Sequence, residues 1–158
     1  MPIELPTIWI VILNVVLWPV IQLALAWGFT RIPVTWFHPP PMLESAAFYQ
    51  RFFWIKRWKS LLPDGANWLG GAFPKREMKS TELAYLDRFI IETWRGELCH
   101  LCAFLIVPVF SLWNPWWGNC VILAYAIIAN LPCIIAQRYN RIRLCHLRAR
   151  MKVISSHE

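Results

Sequence analysis

The sequence predicts an all-α integral membrane protein, with about three transmembrane helices plus an interfacial amphipathic helix, N-terminus out and C-terminus in. The first observation is composition: of 158 residues 58% are hydrophobic, 11 are Trp, and the mean hydropathy is +0.41. That is too apolar for a soluble domain of this size. The second is run length. Leu5–Phe29 is apolar apart from Thr7, Asn14 and Gln22, Leu98–Trp113 is a shorter run, and Cys120–Ala136 is broken only by Asn130 and Pro132. Roughly 20 helical residues cross the hydrocarbon layer. The third is charge placement. All 16 Lys and Arg fall between Arg31 and Arg95 or between Arg138 and Lys152. Both blocks belong on the cytoplasmic side by the positive-inside rule, which requires one span before the first block and a hairpin between the two.

The elements follow in order. The expected spans are about 5–29, 96–113 and 119–137, with a cytoplasmic interfacial segment about 31–92 and a basic cytoplasmic tail 138–158, all in a single membrane domain. Ala24-Leu25-Ala26 has the look of a signal-peptide cleavage site, but no basic residue precedes it, so the first span is expected to stay. The prolines of Phe37-His-Pro-Pro-Pro-Met42 force an extended path. Ala46–Leu62 interleaves aromatics with cations and suits a helix lying in the interface. Asp64-Gly65 breaks it with turn chemistry, and Trp68–Pro74 is irregular. A helix starting at Ser80-Thr-Glu82 leads into the second span. Trp113-Asn-Pro-Trp-Trp-Gly-Asn119 makes the outer turn, its tryptophans anchored at the headgroups.

The five cysteines lie in or beside spans, without the spacing of a secreted scaffold or a zinc site, so no metal is expected. A net charge of +7 does not signal nucleic acid, because the cations flank spans and topology accounts for them.

Chemistry is concentrated on the second span. Arg88, Glu92 and Arg95 share one helical face and read as a salt-bridged stripe. Thr93, Glu97 and His100 share roughly the opposite face and enter the apolar part, where an ionisable group is a functional hypothesis by default. A carboxylate three residues before a histidine can set the imidazole tautomer, so that the other ring nitrogen takes a proton from a hydroxyl. The competing reading pairs Glu97 and His100 with polar groups on other spans, such as Gln22 or Asn130. Glu97 to Asn114 and Asn119 to Gln137 are 17 and 18 steps. Glu97 and Gln137 therefore face each other at one depth, where Arg31, the Trp58-Lys59…Asp64 piece, Arg138, Tyr139, Asn140 and Arg141 also converge. Arginines there suit the phosphates or the phosphopantetheine end of an acyl donor. They also serve as a positive-inside anchor, as must Arg143, Arg148, Arg150 and Lys152.

The ordered set Trp18…Gln22-Leu23…Thr30-Arg31-Ile32-Pro33…Phe37, Arg57-Trp58-Lys59…Asp64-Gly65, Ile90-Ile91-Glu92-Thr93…Arg95-Gly96-Glu97-Leu98…His100 and Tyr125-Ala126…Asn130…Pro132…Gln137-Arg138-Tyr139-Asn140-Arg141…Arg143-Leu144 resembles the glycosyl-4,4'-diaponeurosporenoate acyltransferase family. Gly96 departs from the pattern, where Ala is common. The resemblance implies a membrane O-acyltransferase that places a fatty acyl group on the sugar of a carotenoid glycoside, in a multi-pass protein of the cell membrane. Acyl-CoA or an acyl-carrier-protein would be the co-substrate, with no other cofactor. Glu97 and His100 are the expected catalytic pair. Arg31, Trp58, Lys59, Asp64, Glu92, Thr93, Arg95, Asn130, Gln137, Arg138, Tyr139, Asn140 and Arg141 are the expected substrate contacts. Two alternatives stand beside this: an acyltransferase for another glycolipid or lipid alcohol, and a non-catalytic adaptor binding anionic lipid or a partner enzyme. Three helices enclose little volume, which leaves room for a homo-oligomer or a site open to lipid.

Overall fold

The computed structural model describes residues 3–62 and 78–156. These are helical, with no strand among the described residues. In chain order come α1 (Thr7–Arg31), a 3-10 turn (Val34–Trp36), α2 (Ala46–Phe52), α3 (Ile55–Trp58), a 3-10 turn (Lys59–Leu61), α4 (Leu83–Ile106) with a 3-10 extension (Val107–Leu112), and α5 (Trp116–Ser155). Three helices are long and apolar enough to cross a membrane, as the sequence predicts: α1, α4 with its extension, and α5. The expected turn at Asp64-Gly65 and the irregular Trp68–Pro74 stretch lie outside the described residues.

Local sequence explains where each helix stops. Ile32 is extended because Pro33 follows it, and the residue before proline is disfavoured in the α region. Pro108 has no N–H to give, and α4 tightens into its 3-10 extension there. Pro115 then caps α5, whose Asn119 N–H bonds the Pro115 carbonyl at 3.0 Å. The turn needs a glycine just beyond it. A Cβ on Gly118 would lie 2.9 Å from Asn114 Oδ1 and 3.3 Å from Pro115 Cδ.

One expectation is corrected. The interfacial helix expected over Ala46–Leu62 is broken: α2 is capped by Ser45, whose Oγ accepts from Phe48 N–H at 3.2 Å, and it ends at Phe53. Trp54 then takes a left-handed conformation, φ 46° and ψ 37°, which reverses the chain into α3. The bend lets Tyr49 and Ile55 both pack on Tyr139, Ile142 and Ile135 of α5. As Ser80-Thr-Glu82 led one to expect, α4 begins well ahead of the second span, at Leu83, and α5 continues past the third to Ser155. Leu86, Phe89, Ile90 and Leu144 form a cluster between these extensions, and Asp87 pairs with Arg148.

The antiparallel α4–α5 hairpin is the centre of the fold, and α1 joins it along one stripe. Trp18 is the buried residue of α1, packed on Phe110, Trp113, Ile122 and Ala126. The rest of α1 exposes Ile8, Trp9, Val15 and Val16, as a lipid-facing helix would. Polar side chains pin it at one end. Asn14 Nδ2 donates to Asn114 Oδ1 at 2.8 Å, while Asn14 Oδ1 accepts from Trp113 Nε1 at 2.9 Å and Asn114 Nδ2 at 3.0 Å. Replacing Asn14 by Leu strands these groups, and thermal unfolding of the purified protein in detergent should show a loss of about 1–2 kcal/mol. An unchanged melting temperature would mean that the knot is not what holds α1.

Candidate active site

The inward stripe of α4, at positions 86, 90, 93, 97 and 100, faces the α5 stripe at 130, 134, 137 and 141. Glu97 is fully buried there. A carboxylate in such surroundings must be paired to stay ionised. Both oxygens are taken: Oε1 by Arg138 Nε at 2.5 Å and Oε2 by Arg141 Nη2 at 2.6 Å. The two arginines sit one turn apart on α5, so a single side chain of α4 bridges them. Arg138 also reaches Glu44, with Nη1 3.7 Å from Oε1, but both side chains are over a third exposed and that pair contributes little.

Above this ion cluster runs the strap between the first 3-10 turn and α2. It places Pro40, Pro41, Met42, Leu43 and Glu44 along an open cleft of about 170 Å³, whose other walls are Trp94, Glu97, Arg138 and Arg141. Arg141 is held on three sides. Its Nη2 bonds Glu97, its Nε lies 3.1 Å from Met42 Sδ, and its guanidinium carbon stands 5.1 Å from the centre of the Trp94 ring. Arg141 is 1% exposed, and its Nη1 has no hydrogen-bond partner among the described residues.

One turn further along α4, His100 Nδ1 is 2.9 Å from Asn130 Oδ1. Asn130 is oriented by its own Nδ2, which donates to the Ala126 carbonyl at 3.0 Å, and Gln22 Nε2 donates to the same Oδ1 at 3.0 Å. An amide oxygen only accepts, so Nδ1 carries the proton and Nε2 is the basic nitrogen. These pairings are those of the competing reading: His100 meets Asn130 of α5, and the Glu97 carboxylate, expected to orient the imidazole, is taken up by two arginines of α5.

The other expected contacts divide. Thr93 is buried beside Glu97 on the stripe, but its hydroxyl returns to the Ile90 carbonyl at 2.6 Å. Gln137 shares the α5 stripe, with a buried and unpartnered Oε1, while Asn140 is half-buried without a described bond. Glu92 lies fully buried between Arg88 and Arg95, each 2.7 Å away, on another face of α4 and away from the cleft. Neither of its oxygens has aligned hydrogen-bond geometry, so these are charge contacts. Arg31 is exposed with its guanidinium 5.0 Å from the Trp27 ring, outside the cleft lining. Trp58 Nε1 bonds the Phe53 carbonyl at 2.7 Å and braces α3. Tyr139 receives Gln50 Nε2 on its hydroxyl at 3.1 Å and lies between Lys59 and Arg143, 5.6 and 5.7 Å from its ring. Burial, and then the charge of Arg143, pull the Lys59 pKa below the usual lysine value. Asp64 is outside the described residues. Sequence reasoning missed Met42, Glu44 and Trp94. For Trp94 a signal existed, since it stands three residues before Glu97; the strap has no periodicity to read.

Residues 33–150 match the model of the family described as glycosyl-4,4'-diaponeurosporenoate acyltransferase, a stretch that contains every cleft residue together with His100 and Asn130. Proteins of that name from Staphylococcus aureus strains MRSA252, USA300 and Newman are each 32% identical over 137 residues, covering 82% of this chain and 82% of theirs. No solved structure matches. The chain, an acyltransferase, belongs to the glycosyl-4,4'-diaponeurosporenoate acyltransferase family.

Proposed function

We propose that the protein is a membrane O-acyltransferase that transfers a fatty acyl group from a thioester donor to a sugar hydroxyl of a carotenoid glycoside at the cytoplasmic leaflet. The donor is acyl-CoA or an acyl-carrier-protein. The name carried by its relatives supports the acceptor class. The single observation that carries the mechanism is the pairing of His100 with Asn130 one helical turn from the arginine-lined cleft.

In this reading the sugar hydroxyl gives its proton to His100 Nε2 as its oxygen attacks the thioester carbonyl carbon. The new C–O bond forms, the C–S bond breaks, and the departing thiolate takes the proton back from the imidazolium. Asn130 holds the tautomer throughout, and Gln22 fixes Asn130 from α1. Arg138, more than a third exposed at the mouth of the cleft, is placed to meet the donor's phosphopantetheine end. The apolar walls of the spans leave the carotenoid and the acyl chain in lipid while the polar ends meet at one depth.

Mass spectrometry of lipids from cells making the glycosylated carotenoid should show a new ester of acyl mass that depends on this protein. With His100→Ala the ester should fall by about 100-fold or more, while the variant accumulates in the membrane as wild type does. Ester formation undiminished in that variant would remove His100 from the chemistry.

Sidedness has its own test. In intact spheroplasts a tag fused after residue 158 should resist external protease, while one fused ahead of Met1 is cut. The opposite pattern would place the cleft at the outer leaflet.

A further inference from the structure

Arg141 has one donor nitrogen that the described residues leave unused. A guanidinium offers five N–H groups on three nitrogens. Nε faces Met42 and Nη2 is bonded to Glu97, while the ring of Trp94 stands against the group. Nη1 remains, buried, without an acceptor among the described residues, on a side chain that lines the cleft. Buried donors of this kind are rare in native structures and call for a partner. Its position is held by an ion pair and a ring, so it would not reorganise when charge appears beside it.

Building on the acyl-transfer reading, we infer that Arg141 Nη1 is the donor that stabilises the oxyanion formed on the thioester carbonyl. As the sugar oxygen bonds the carbonyl carbon, the carbonyl electron pair moves onto oxygen, and Nη1–H receives it. The pair returns when the C–S bond breaks, and the thiolate leaves with the proton that His100 carried. Charge favours this assignment: the ionic groups lining the cleft, Glu44, Glu97, Arg138 and Arg141, sum to zero, which suits one transient negative charge met by one donor better than a standing phosphate. A phosphate, with three acceptor oxygens and nearly two charges, asks for several donors. Glu97 is then a positioning residue, acting through Arg141.

The test compares two donors on the purified full-length protein in nanodiscs, with the carotenoid glycoside as acceptor: acyl-CoA, and the matching acyl-pantetheine, which has no phosphate. Arg141→Lys should lower kcat about 100-fold with both donors and leave each donor's KM within a few-fold of wild type. A defect in KM that appears with acyl-CoA and vanishes with acyl-pantetheine would overturn the inference in favour of phosphate binding. So would an unchanged kcat. Should Arg141→Lys fail to accumulate, Trp94→Leu keeps the Glu97–Arg141 pair and loosens the guanidinium. It should lower kcat by roughly tenfold with either donor, and an unchanged kcat there overturns the inference equally. Wild-type protein that acylates nothing with either donor would sink the underlying reaction, and this inference with it.

Discussion

A carboxylate buried between two long apolar helices must be neutralised where it stands, because no neighbouring apolar side chain can solvate it. Glu97 is neutralised by Arg138 and Arg141, and that requirement sets the register of the α4–α5 hairpin. Losing one partner of such a buried pair leaves an uncompensated charge, at a cost of about 3–5 kcal/mol. Apolar packing has no comparable preference for register within a membrane, since lipid tails are as apolar as leucine. The contacts on either side follow from that setting. Ile90 meets Leu144 and Asp87 meets Arg148 toward the helix extensions, and His100 meets Asn130 toward the opposite side.

Polar contacts likewise decide where α1 lies. Its sequence is apolar nearly all round and would tolerate many orientations against the hairpin. Asn14 and Gln22 remove that freedom, one tied to Asn114 and Trp113 near the turn, the other to Asn130 at the site. Trp18, midway between them, fills the space against Phe110 and Ala126. The helix that holds the partner of His100 in place is therefore itself placed by two amides and one ring.

Much of this was legible before the structure. Apolar run length and cation placement foretold three long helices, and ionisable residues on an apolar face singled out Glu97 and His100. Counting from the outer turn placed Glu97 level with Gln137, one residue from the arginine that binds it. Other features had no local signal. The strap that brings Met42 and Glu44 to the cleft joins residues about a hundred positions apart without any periodic pattern. The left-handed Trp54 violates the usual residue preference for that conformation, so an uninterrupted interfacial helix was the natural expectation. Arg31 and Lys59 were grouped with the site because depth alone is readable from sequence. The direction in which a helix face or an interfacial segment turns is set by tertiary packing.

The buried ion cluster also bears on how the chain is made. Glu97 leaves the ribosome roughly 40 residues before the arginines that neutralise it, and during that interval α4 carries a carboxylate with no cation of α5 to meet it. Lateral release of α4 alone into lipid would strand the charge. For a chain whose long helices cross a bilayer, insertion would favour α4 and α5 entering together as a closed hairpin, with α1 in place to receive Asn130 and Trp113.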